Sequence, residues 1–144
     1  MEKPKNTCWV EGTKIAQPGS KEIAIEKIHV GDVVLGFDLK ANRYVETTVT
    51  SIFRQEVDTV IRIETNDSVN YVTPDHCFYG IHRDIIRAAN IGKGTMLLCS
   101  EGHFQTVQLA ERIQKKFTVY NFETDCHTYI ANDFINHNCD LSEE

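Results

Sequence analysis

Apolar and polar residues alternate along much of this chain with a period of two, the spacing of a strand with one buried face. Arg43–Phe53 is rich in Val, Thr and aromatic residues. Ile61-Arg62-Ile63-Glu64 alternates and stops at Asn66-Asp67, and the pattern resumes over Val69–Thr73, so residues 60–73 are expected as a hairpin. Further strands are expected over Thr95–Ser100, Phe104–Gln108, Phe117–Phe122, Thr128–Ala131 and Phe134–Ile135, with turns at Glu101-Gly102 and Asn132-Asp133. Leu109–Lys115 and Asp84–Ile91 are expected as short helices and Glu22–Ile28 as a single turn. No segment has the length of a strong amphipathic helix. The pattern predicts a compact, mostly antiparallel all-β domain from about Cys8 to Asn138.

Composition narrows the function classes. The chain has 144 residues, enough for one domain with a real core. A net charge of −6 argues against nucleic-acid binding, which calls for a basic surface. No run approaches the roughly 20 apolar residues of a membrane span. Met1–Thr7 is polar and lacks the apolar stretch of a secretion signal. The five cysteines, Cys8, Cys77, Cys99, Cys126 and Cys139, are odd in number and contain no CxxC pair, so they are expected as free, reduced thiols.

Three places carry candidate chemistry. At His137-Asn138-Cys139 the Asn side-chain amide can attack its own backbone carbonyl, forming a succinimide and breaking the bond to Cys139. A neighbouring imidazole titrating near neutrality can assist. Thr73-Pro74-Asp75-His76 follows an expected strand; its hydroxyl and imidazole can converge on one carbonyl, or the motif is an ordinary turn with a capping Thr. Cys8 can attack the preceding Thr7 carbonyl and exchange a peptide for a thioester, or it is a buried structural thiol.

Together these motifs form an ordered series. Cys8, Gly12-Thr13, Ile25–Ile28 running into Val30–Val34, Thr73–His76, and Val119-Tyr120 through His127-Thr128-Tyr129 to His137-Asn138-Cys139 resemble the Hint superfamily of inteins, bacterial intein-like domains and hedgehog autoprocessing domains. The resemblance spans Cys8 to Cys139. The Asn138 step separates the chain from the hedgehog type and is similar to HN-ending (type A) bacterial intein-like domains or a minimal intein. Only 50 residues separate His76 from His127, too few for a homing endonuclease as well as the remaining strands.

The resemblance implies a horseshoe-like Hint fold with pseudo-twofold symmetry and adjacent termini. It implies a self-processing domain at 8–138 between flanks 1–7 and 139–144. Cys8 would be the first nucleophile, and Thr73 and His76 the pair acting on the Thr7–Cys8 bond. Cys139 would be the second nucleophile, and Asn138 would cyclise with help from His137 and His127. Asn121 stands where many inteins carry a titratable Asp that couples the first two steps, so weaker coupling and more cleavage without ligation are expected. The spacing from Glu123 to His127 is one residue shorter than the family pattern. The implied partners are the chain's own flanking polypeptides (exteins); no cofactor, nucleic acid or membrane is expected, and the domain is expected to be a monomer. Localisation follows from the host protein.

Two other readings stand beside this one. Cys8, His137 and Cys139, with Cys126 or His76, form a possible zinc site, inhibitory or primary, though without the paired spacing of structural zinc modules. An inactive Hint scaffold is the other. His29, His82 and His103 are expected on the surface, Cys77 and Cys99 in the core, and Cys126 as either packing or a modulatory thiol.

Overall fold

The computed structural model describes residues 8–137, the side chain of His137 excepted. The fold is nearly all β. In chain order the strands are β1 Trp9–Val10, β2 Lys14–Gln17, β3 Lys21–Ala24, β4 Val33–Asp38, β5 Arg43–Thr65, β6 Val69–Val72, β7 Cys77–Tyr79, β8 Ile85–Arg87, β9 Met96–Leu98, β10 Phe104–Thr124, β11 Thr128–Ala131 and β12 Phe134–His137. Short 3-10 turns lie at Ile25–Lys27, Ala88–Asn90 and Ser100–Gly102.

Two long strands form the spine. β5 and β10 pair antiparallel from Thr65 opposite Val107 to Val49 opposite Thr124, with register shifts along the way. β1 lies between β6 and β10, with Trp9 opposite both Val72 and Tyr120. Because β6 also pairs with β5, these four strands close on one another. A second sheet runs β12-β11-β2-β3, and β7 and β8 form a separate hairpin.

The expected short helices are not found. Leu109–Lys115 is rich in helix formers, yet it lies within β10, with Ala110 opposite Ile63, Arg112 opposite Ile61 and Ile113 opposite Val60. Pairing along β5 outweighs a propensity preference worth only tenths of a kcal/mol per residue. Asp84–Ile91 divides into β8, paired with β7, and a 3-10 turn. Glu22–Ile28 likewise divides into the end of β3 and a 3-10 turn. The hairpin over 60–73 is present, but its first arm begins at Arg43.

The two halves repeat one backbone plan. In the first, Thr13 N–H bonds to the Val10 carbonyl, Ile25 N–H to Thr13, and Ile28 N–H to Ile25. Gly31 N–H then reaches Val49 of β5, and Val49 N–H returns to Asp32. In the second, His76 N–H bonds to Thr73, Ala88 to His76, Ile91 to Ala88, Gly94 to Val107 of β10, and Val107 to Thr95. Gly31 and Gly94 both adopt positive φ, 95° and 93°, which glycine reaches without a Cβ penalty. The repeat is a pseudo-twofold, as the resemblance implied, and it places Thr73 and His76 where the first half has Val10 and Thr13.

Packing between the layers is tight where β4 crosses β11. A Cβ on Gly36 would lie 2.6 Å from Cys126 Sγ and 2.8 Å from Thr128 Oγ1. Gly36→Ala is therefore expected to cost about 1–3 kcal/mol through overpacking. Urea unfolding checks this; an unchanged midpoint would show that β4 and β11 are not in close contact.

Candidate functional site

The site begins at Cys8, just before β1. Its side chain is 1% exposed and packs with Val60 and Val119. Its amide N–H donates to Thr73 Oγ1 at 3.0 Å, and its carbonyl accepts from Thr73 N–H at 3.1 Å. That nitrogen belongs to the Thr7–Cys8 peptide bond, so the Thr73 hydroxyl oxygen rests on the bond's nitrogen, while its proton points to the Cys8 carbonyl at 3.5 Å. Gln55 Nε2, from β5, donates to Cys8 Sγ at 3.7 Å.

His76 is buried one turn beyond Thr73. Its backbone is fixed by the bond from its N–H to the Thr73 carbonyl at 3.0 Å and by acceptance from Ala88 N–H at 2.8 Å. Its imidazole packs edge-on against Trp9, with ring centroids 4.6 Å apart, and against Phe78 at 4.8 Å. Thr73, His76 and Cys8 thus meet around the first strand.

Trp9 ties that strand to the far end of the chain. Its indole Nε1–H donates to Asn136 Oδ1 at 2.9 Å, across 127 residues, and its ring stacks on Phe134. Both side chains are buried. Asn136 lies on β12, two residues before Asn138. The backbone of His137 pairs with Thr128; its side chain, Asn138 and Cys139 lie outside the described residues.

Asn121 sits on β10 beside Tyr120, the partner of Trp9, and is 0% exposed. Its Oδ1 accepts from Tyr129 OH at 2.6 Å and from Phe122 N–H at 2.9 Å. Burial, reinforced by the nearby Cys8 and Glu123, holds the Tyr129 phenol well above the usual range, so it acts as a neutral donor. His127 is not brought into this buried group. It is 68% exposed at positive φ, with Nδ1 3.6 Å from Glu123 Oε1, and it directly precedes Thr128.

Trp9, Gln55 and Asn136 escaped sequence reasoning, and Tyr129 was read only as part of the motif series. Trp9 and Asn136 had a faint signal, a lone Trp after the nucleophile and a polar residue in an apolar strand; Gln55 had none. The zinc reading of Cys8, His137 and Cys139 rests largely on atoms outside the described residues.

The sequence profile of the pretoxin HINT domain family matches residues 17–139. The chain belongs to the pretoxin HINT domain family. Solved structures agree. The bacterial intein-like domain from Clostridium thermocellum is 29% identical at a TM-score of 0.84, covering 91% of this chain and 98% of that one. The TvoVMA intein, at 16% identity and a TM-score of 0.79, covers 94% of this chain and 99% of its own. A DnaB intein from Synechocystis sp. PCC 6803, at 14% and 0.79, covers 90% and 96%. The last two establish the fold alone. No curated protein matches the chain. The family and fold support self-splicing or autoprocessing of the Hint kind in general.

The other thiols of this Hint domain differ sharply. Cys99 is buried and its thiol is pushed up to about 12, first by desolvation and then by Asp133. Cys126 is half-buried. Its burial would raise the thiol, but contacts with the Thr128, Thr47 and Thr124 hydroxyls outweigh that and hold it below the ordinary value. Alkylation proceeds through the thiolate. As pH rises, Cys126 is expected to label before Cys99, which stays inert through the neutral range. Peptide mapping after timed iodoacetamide treatment measures this; equal rates at Cys99 and Cys126 would contradict the assignment.

Proposed function

We propose that this domain cuts the Thr7–Cys8 and Asn138–Cys139 bonds of its own polypeptide, by thioester formation and Asn cyclisation, and can join the flanks. The observation that carries this reading is the Cys8 amide N–H held by Thr73 Oγ1 at 3.0 Å, on the strand whose Trp9 grips Asn136. One bond to be broken and the strand leading to the other share a single buried frame. Orientation of that kind can supply roughly 7–11 kcal/mol of a barrier.

In the first step Cys8 Sγ attacks the Thr7 carbonyl carbon. The amide nitrogen leaves as an amine after gaining a proton, with Thr73 touching that nitrogen and His76 as its acid. The thioester passes to Cys139 Sγ, and the Cys8 thiol is restored. Asn138 Nδ2 then attacks its own carbonyl carbon, freeing the Cys139 amine and leaving a succinimide; His137 is the assisting imidazole, and His127 a further helper from the turn before β11. A final S-to-N shift joins Thr7 to Cys139.

Asn121 shapes the balance of products. Its amide cannot exchange a proton near neutral pH, so the hand-over from Cys8 to Cys139 lacks the titratable group that an Asp would supply. Cyclisation at Asn138 does not need that group. The family description, a pretoxin domain, also favours release of a flank, which requires a single cut. Cleavage after Asn138 therefore competes with ligation. Residues 1–7 and 139–144 are the flanking segments on which the domain acts.

The test uses the chain with longer flanks, its products resolved by gel and intact mass. Losing one preorganised group at a reacting centre costs roughly 100- to 1000-fold in rate. Thr73→Val and His76→Ala are each expected to slow dithiothreitol-induced release at Thr7 by about that factor, with cleavage after Asn138 far less affected. Asn121→Asp, whose carboxylate would inherit the Tyr129 and Phe122 donors, is expected to raise the ligated share. Equal slowing at both junctions in a variant with wild-type circular dichroism would overturn the roles of Thr73 and His76.

A further inference from the structure

Away from Cys8, three side chains of different chemistry converge on one face of the domain. Cys99, His103 and Asp133 each offer a ligand atom, and these atoms lie within 4.8 Å of one another. His103 Nε2 is already 2.8 Å from Asp133 Oδ2. Cys99 follows β9, His103 precedes β10, and Asp133 occupies the turn between β11 and β12. Two separate turns therefore contribute to the cluster.

The backbone holds these turns against each other. Cys99 N–H bonds to the His103 carbonyl at 2.8 Å, which closes the loop between those two residues. Ser100 N–H bonds to the Asp133 carbonyl at 2.9 Å, and Cys99 bridges Phe134. The Asp133 carboxylate is oriented as well. Ser100 Oγ donates to its Oδ1 at 2.5 Å, and the Ser100 hydroxyl is itself 2.9 Å from Tyr44 OH. Oδ2 is thereby left facing His103. Partners of this kind, which fix a ligand without touching the ion, are what a working metal site requires.

We propose that Cys99, His103 and Asp133 bind one Zn²⁺ ion, with water as the fourth ligand. A thiolate and an imidazole select a borderline ion over Mg²⁺ or Ca²⁺, and the carboxylate is compatible with it. Tetrahedral zinc with these ligands has donor–donor edges of about 3.3–3.7 Å, so the trio needs only a side-chain adjustment to close around an ion. Cys99 gives up its thiol proton, and the ion takes the place of the proton between His103 and Asp133. The Cys99 side is fully buried, whereas His103 is 47% and Asp133 44% exposed, which leaves a route for the ion and room for the water. This site shares no residue with Cys8, His137 or Cys139. Its effect is to clamp the turn that starts β12 onto the β9–β10 turn.

Cobalt(II) reports the ligands directly. The probe is Co²⁺ added to the full chain carrying Cys8→Ala and Cys139→Ala, which removes both junction thiols, in a buffer with a non-thiol reductant. One equivalent is expected to give a thiolate-to-cobalt charge-transfer band and the visible bands of a four-coordinate ion, both bleached by Zn²⁺. Cys99→Ser should abolish the charge-transfer band. His103→Ala and Asp133→Asn should each weaken affinity by at least about tenfold, the lower end of what loss of even an outer partner costs. Because His103 is exposed, its replacement leaves the fold intact and decides the matter even if Cys99→Ser fails to fold. Zn²⁺ should also raise the thermal midpoint of the parent and not of His103→Ala. No charge-transfer band, or a band of equal affinity in His103→Ala, would overturn the proposal.

Discussion

The hydrogen bond from Trp9 Nε1 to Asn136 Oδ1 is the constraint on which the rest of this structure turns. It joins residues 127 positions apart inside the core, where neither polar group has water as an alternative partner. Leaving either group unmatched would cost about 1–3 kcal/mol. The bond can form only if β1 lies between β6 and β10 and β12 lies on the edge of the second sheet. Closing the chain on itself is therefore built into the packing, with β1 and β12 held together through the core.

The repeated halves show how chemistry is added to such a frame. Val10–Thr13 and Thr73–His76 make the same backbone turn, each closed by an N–H to carbonyl bond three residues back. In the first copy the Thr13 hydroxyl folds back onto the Val10 carbonyl and completes the turn locally. In the second, the Thr73 hydroxyl reaches across to the Cys8 amide, and His76 is wedged beside Trp9. One backbone plan is used twice, and side chains alone make one copy a candidate for catalysis.

Much of this was legible in the sequence because strands announce themselves by alternation and turns by Asn, Asp and Gly. The all-β plan and the motif order needed little else. The longest misreading has a clear cause. Leu109–Lys115 has local helix propensity, but β5 offers it a long partner that no local window reveals. Within the site, Cys8, Thr73 and His76 were readable as reactive residue types, and Asn121 as a departure from a pattern. The contacts that give Gln55, Tyr129 and Asn136 their place were not, since they are made with Cys8, Asn121 and Trp9, which lie 47, 8 and 127 residues away in sequence. The cluster of Cys99, His103 and Asp133 was hidden for the same reason: two turns meet in space that are apart in sequence.

The closed frame has a direct spectroscopic witness, because the chain contains a single tryptophan. Its indole N–H gives one resolvable signal in a nitrogen–proton correlation spectrum, and hydrogen–deuterium exchange at that position reports opening of the Trp9–Asn136 bond. If the two ends are clamped through the core, the indole proton exchanges as slowly as the best-protected amides of β5 and β10, at the rate of global unfolding. Exchange near the rate of an exposed indole, with β5 and β10 still protected, would show that the ends part while the spine stays folded, and would contradict the account.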